Sequence, residues 1–95
     1  MIKSEVVASI AKHTGLSKAD VRLVLDTLFA TIKSQNAFGE PVHFRGFGSF
    51  AAKRRAKRIA RHIRRNTALA IEAHYVPAFY PSKTFSNQIK TALAD

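Results

Sequence analysis

Thirteen consecutive residues, Lys53 to Arg65, hold eight arginines or lysines and not one acid: Lys53, Arg54, Arg55, Lys57, Arg58, Arg61, Arg64 and Arg65. Such a run cannot enter a hydrophobic core, because unpaired buried charge is strongly disfavoured. It is half of the sixteen bases and supplies +8 of the net charge of +10. The flanks are nearly balanced: residues 1–52 carry six bases and four acids, residues 66–95 two of each. Charge this dense repels itself, so it points to an anionic partner. Nucleic acid leads, since its regular phosphates match a basic stripe and binding releases condensed counterions.

The rest, about 75–80 residues, must build the core, which is marginal for a lone monomer. Yet 46% of the 95 residues are hydrophobic and seven are Phe. Association with a second chain is the natural outlet, because without cysteine there are neither disulfides nor thiolate metal sites. The absence of cysteine also fits a reducing compartment. The opening MIKSEVVASIAKH has no long apolar run before a cleavage site, and no window approaches the ~20 apolar residues of a membrane span. The expectation is a soluble cytoplasmic protein.

Val6, Val7, Ile10 and Ala11 predict a helix over residues 3–14, with Gly15 as its stop. Ser17-Lys-Ala-Asp20 has the form of a capping box. Val21, Leu25, Leu28, Phe29 and Ile32 then predict a long amphipathic helix ending near Phe38-Gly39. These two helices make a helical hairpin. After Gly39 the pattern alternates: Pro41 to Arg45, a Gly46-Phe47-Gly48 turn, then Ser49-Phe50 predict a β-hairpin. Val76-Pro77-Ala78-Phe79 reads as a strand near an edge, since Pro77 cannot donate to a ladder. Pro81-Ser82 opens a last helix with Phe85, Ile89 and Leu93 on one face. The class is α+β.

The basic run itself fits two periods. Ala52, Ala56, Ile59, Ala60 and Ile63 fall at amphipathic-helix spacing; Lys53, Arg55, Lys57, Ile59, Arg61, Ile63 and Arg65 would line one face of a strand. Pattern alone slightly favours the helix, with a turn at Asn66-Thr67 and a returning strand at residues 68–73.

Gly46-Phe47-Gly48-Ser49-Phe50 and Val76-Pro77-Ala78-Phe79, with the Met1-Ile-Lys-Ser-Glu5 opening, Gly15-Leu-Ser-Lys-Ala-Asp20 and Pro81-Ser-Lys83, occur in an order and spacing that resemble the HU/IHF family of bacterial histone-like DNA-bending proteins. The resemblance runs end to end. It implies a single HU/IHF-type DNA-binding domain over residues 1–95: a helical hairpin over 1–39, a sheet over 40–82 with an arm at about 53–74, and a C-terminal helix over 83–95. It also implies an intertwined dimer, with an identical subunit or a paralogue, and a three-stranded β-saddle carrying long β-ribbon arms that enter the DNA minor groove. Residues 53–65 are then strand, not helix. HU and IHF are themselves standing examples of minor-groove architectural proteins, so this mechanism comes with the family.

The tip departs from the pattern. The family's Arg-Asn-Pro, whose proline wedges between base pairs, aligns without gaps on Arg61-His62-Ile63. Isoleucine is still an apolar wedge, though less rigid than proline and with an N–H of its own. Sliding the motif onto Arg65-Asn66-Thr67 leaves no wedge; the equal spacing favours Ile63. The glycine usual in the arm's turn is missing too.

On this resemblance Arg55, Arg58 and Arg61 line the inner arm, while Lys53, Arg54, Lys57, Arg64 and Arg65 add phosphate contacts. His62 donates to DNA, more strongly when protonated. Lys83 reaches the DNA flank, and Lys3 is a further candidate. Phosphate contacts position a protein without reading sequence, and the minor groove shows little beyond A·T against G·C, so weak specificity is expected. Phe29, Phe44, Phe47, Phe50, Phe79 and Phe85 read as the dimer core; a base-stacking platform for single strands is the alternative. His13, His43, His62 and His74 lack ligand spacing, and the six acids form no local pair. No metal, cofactor, small-molecule substrate, membrane partner or enzymatic activity is expected. The rival readings are an RNA- or ribosome-binding basic protein, a site-specific IHF-like bender, and a basic amphipathic helix on an anionic membrane or acidic protein.

Overall fold

The computed structural model describes residues 1–62 and 67–95. Two helices come first, α1 (Lys3–Thr14) and α2 (Lys18–Ala37), then strands β1 (Val42–Phe44), β2 (Gly48–Arg55), β3 (Arg58–His62), β4 (Thr67–Ile71) and β5 (His74–Pro81), and last α3 (Lys83–Ala92). The chain divides into two compact units, Met1–Ser34 and Gln35–Asp95.

In the first unit α1 stops where Gly15 turns left-handed at φ 77°, its N–H donating to the Ala11 carbonyl. A side chain at that φ would be strained, which is why glycine stands there. Glu5 in the first turn and Lys12 and His13 in the last complement the helix dipole. The His13 Nδ1–H donates to the Ser9 carbonyl at 2.8 Å. Ser17 caps α2 by accepting from the Asp20 N–H at 3.1 Å. Val7 and Val21 are buried; Val6, Ile10, Leu25, Leu28 and Ile32 are half-buried, and Phe29 stays exposed.

The second unit begins in the last turn of α2. Asn36 holds that end of the helix by donating to the carbonyls of Glu40 and Phe50, each at 2.9 Å. β1, β2 and β5 form a three-stranded antiparallel sheet in the order β1-β2-β5, and β3 and β4 form a two-stranded one. The hairpin between β1 and β2 closes with the Phe47 N–H on the Phe44 carbonyl, and Gly46 takes φ 80°. Gly48 is buried because Phe79 lies against it: an added Cβ would meet the Phe79 ring at 2.7 Å and the Tyr80 carbonyl at 2.6 Å. β5 is an edge strand, so Pro77 costs no ladder bond on its open side. Ser82 caps α3, accepting from the Phe85 N–H at 3.1 Å, and its own N–H donates to the Phe47 carbonyl.

The strand that the family resemblance implied for the basic run, in place of the slight helical preference of its pattern, is what the described residues form. Ala51 to Arg55 and Arg58 to His62 are strand. Strand pairing satisfies every second backbone group against β5 and β4, and long cationic side chains then stand out on either side of the ribbon.

Candidate nucleic-acid interface

β2 and β5 begin as a sheet and end as a ribbon. At the inner end the ring centroids of Phe47, Phe50, Phe79 and Phe85 lie 4.8–6.4 Å apart in five pairs, and Phe44 meets Phe50 edge-on at 6.1 Å. These are favourable aromatic separations. Beside them Phe79, Pro81, Phe85, Ser86 and Ile89 line an open apolar groove of about 340 Å³. Phe29, the remaining residue of the expected dimer core, stands on α2 in the first unit.

Farther out the side chains change character while the backbone does not. Ala52 pairs with Pro77, Lys53 with Val76, Arg54 with Tyr75 and Arg55 with His74. After a gap, Arg58 pairs with Ile71 and the ladder runs on to His62 opposite Thr67. Two residues on each strand, Ala56–Lys57 and Glu72–Ala73, separate the ladders, so the register crosses the gap with nothing inserted. Every residue from Lys53 to Ile59 is exposed.

The pleat sorts these positions. Lys53 and Arg55 share one side of β2; Arg54 shares the other with Ala52 and Phe50. Counting on through the unbroken register, Lys57, Ile59 and Arg61 have the parity of Arg55, and Arg58 has that of Arg54. Cations therefore occupy both parities. Ile63, Arg64 and Arg65 lie outside the described residues, as do the side chains of Arg61 and His62.

Lys83 is the first residue of α3 and is exposed. Lys3, the first residue of α1, forms an ion pair with Asp26, so its charge already has a partner. Lys57 Nζ sits 3.7 Å from Glu72 Oε1. The sequence reading singled out neither Glu72 nor Tyr75, which is 68% exposed opposite Arg54. An acid alone in the long stretch between Glu40 and Asp95 was the available signal for Glu72. His43 and His74 also have local partners: His43 Nδ1 lies 2.6 Å from Ser49 Oγ, and the His74 Nδ1–H donates to the Glu72 carbonyl at 2.9 Å.

Comparison with known proteins fits this arrangement. Residues 1–90 match the family model described as bacterial DNA-binding protein. The DNA-binding protein HU of Thermotoga maritima is 37% identical over 90 residues, which is 95% of this chain and all of that protein. Integration host factor subunit beta of Pseudomonas entomophila is 36% identical over 90 residues, 94% of this chain and 92% of that one. Among solved structures, HU from an Anabaena HU–DNA cocrystal superposes with a TM-score of 0.88 at 32% identity, over 94% of this chain and 97% of that one. HU from Thermotoga maritima superposes with a TM-score of 0.67 at 33% identity, over 95% of this chain and all of that one.

Proposed function

The chain belongs to the family of bacterial DNA-binding proteins represented by HU and integration host factor, and we propose that it binds double-stranded DNA through its basic β-ribbon and bends it. The observation that carries this reading is the ribbon itself: a fully exposed run from Lys53 to Ile59, cationic at both parities, on a sheet whose other end is aromatic. The solved HU relative in complex with DNA supports it.

In this mechanism the ribbon lies in the minor groove. Lys53, Arg54, Arg55, Lys57, Arg58 and Arg61 neutralise phosphates, with Arg64 and Arg65 extending the footprint beyond the described residues. Lys83 adds a flanking contact, His62 a hydrogen bond, and Lys3 contributes once Asp26 releases it. Ile63 enters a base step as a wedge; unstacking costs a few kcal/mol, offset by the wrapped contacts that the bend permits. Phosphate contacts carry no sequence information, so affinity follows deformability more than sequence. Many such bends along a chromosome compact it and support replication, recombination or transcription complexes. The reading makes this a cytoplasmic protein of the nucleoid, acting without catalysis or cofactor.

The working unit is a dimer formed by all 95 residues as one functional domain. A folded monomer of 10.5 kDa exposes about 5,400 Å² by surface scaling, whereas this chain exposes 8200 Å². Only Val7 and Val21 are buried hydrophobics among the described residues, and the groove beside Phe79 and Phe85 lies open. A second copy docked there completes the core around Phe44, Phe47, Phe50, Phe79 and Phe85. Sedimentation equilibrium tests this, with a monomer overturning it.

Bending is tested by titrating a ~35 bp duplex labelled at both ends with a donor and an acceptor, with and without a central nick. Tighter binding to the nicked duplex, with a rise in energy transfer, is the expected result. Equal affinity and no approach of the ends overturn bending while leaving binding intact. Ile63→Ala is expected to lower the energy transfer at saturation; an unchanged value removes the wedge. The similarity to an integration host factor subunit favours a second reading, a site-specific bender. Affinity that differs by ~10³ between selected and random duplexes supports that reading.

A further inference from the structure

Glu72 is the only acid between Glu40 and Asp95, and it stands at the one interruption of the described ribbon. The ladder stops after the pair Arg55 and His74 and resumes at Arg58 and Ile71. Across that gap the Glu72 carboxylate faces the Lys57 ammonium at 3.7 Å, with both side chains mostly exposed. The Glu72 carbonyl accepts from the His74 imidazole. Arg55 and Arg58 flank the gap in the opposite chain segment; by the pleat Arg55 shares the side of Lys57, and Arg58 takes the other.

We propose that Glu72 is a competitor for Lys57 built into the arm: it holds Lys57 across the break in the free protein and yields it to a phosphate on DNA binding. The inference rests on the DNA-binding reading above. Its physical basis is exchange of one anion for another at the same ammonium. In the free protein the ion pair is the attraction that spans two unpaired positions on each strand, and it keeps the outer ladder in line with the inner one. When a phosphate takes Lys57, the freed carboxylate gathers a cation from solution, so this lysine contributes less than a full counterion to the salt dependence. Glu72 thus weakens binding and flattens its response to salt, which holds affinity within a narrower range as ionic strength varies.

The experiment is a double-mutant cycle on the full chain: wild type, Glu72→Gln, Lys57→Gln, and both together. Affinity for a mixed-sequence ~35 bp duplex is read by fluorescence anisotropy between about 50 and 200 mM KCl. Glu72→Gln is expected to tighten binding about 2- to 5-fold at the low-salt end, the range open to an exposed ion pair. The slope of log K against log[salt] should steepen by up to ~0.9. On the Lys57→Gln background the same change should have less than about 1.5-fold effect, since the two residues act as one unit. Equal tightening on both backgrounds overturns the inference, because Glu72 would then repel phosphates independently; so does no tightening at all. In the free protein, amide hydrogen exchange at Lys57 and Ala73 should quicken in either single variant, and unchanged exchange overturns the restraint. A wild-type protein that binds no duplex would sink the DNA reading and the phosphate exchange together, while the exchange rates still judge the restraint alone.

Discussion

The inner and outer halves of the β2–β5 pair share one register and differ in everything else. The inner half packs Phe50 against Phe79 at 4.8 Å and seats the Phe79 ring on Gly48. Opposite parities of the outer half carry Arg54 facing Tyr75 and Arg55 facing His74, all exposed. Identical backbone bonding thus supports a core at one end and a charged arm at the other. Ladder hydrogen bonds hold a ribbon's shape without choosing its faces; aromatic packing holds the inner half, and cross-strand bonds with the exposed Lys57–Glu72 pair hold the outer one. Substitutions in the two halves should therefore separate stability from DNA affinity.

The sharpest break of that contrast is Phe79→Ala, which removes a ring in contact with three others. In the proposed dimer, whose second copy would cover this 38%-exposed ring, it should cost about 3–4 kcal/mol in urea unfolding, with the salt slope of the folded protein unchanged. Next, Lys53→Ala with Arg55→Ala should lower the slope of log K against log[salt] by ~1.8, about a tenfold smaller loss of affinity between 50 and 200 mM salt. Unfolding should shift by less than about 0.5 kcal/mol, as for surface positions. A large loss of stability in this pair would mean that the arm holds up the core. The smallest effect is at the seam between sheet and helix, where Ser82→Ala should cost about 1 kcal/mol by freeing the Phe85 N–H. Retained DNA affinity in that variant would show that the cap serves folding and not Lys83.

Much of this was legible in the residues. Gly15 stops α1, Ser17 and Ser82 cap the next two helices, and Gly46 turns the first hairpin, each acting on backbone within four residues of itself. The edge position of Pro77 followed from its missing N–H. The candidate cations were legible as a run, but their division between parities was not, since it depends on where the ladder begins and breaks. Glu72 illustrates the limit: fifteen residues from Lys57 in sequence, it becomes its neighbour only through the ribbon.

By itself the sequence determined the helix ends, the turns, the unburiable basic segment, and a stock of phenylalanine too large for a lone chain to hide. Those are local or compositional properties. Its residue pattern left 53–65 between two periods, with the helix slightly favoured, and the family resemblance turned that reading to strand. What only the tertiary structure decided is the pairing and its register over the described residues, β2 with β5 and β3 with β4. The physical reason is range: helical bonds close within four residues, whereas a strand is defined by a partner elsewhere in the chain.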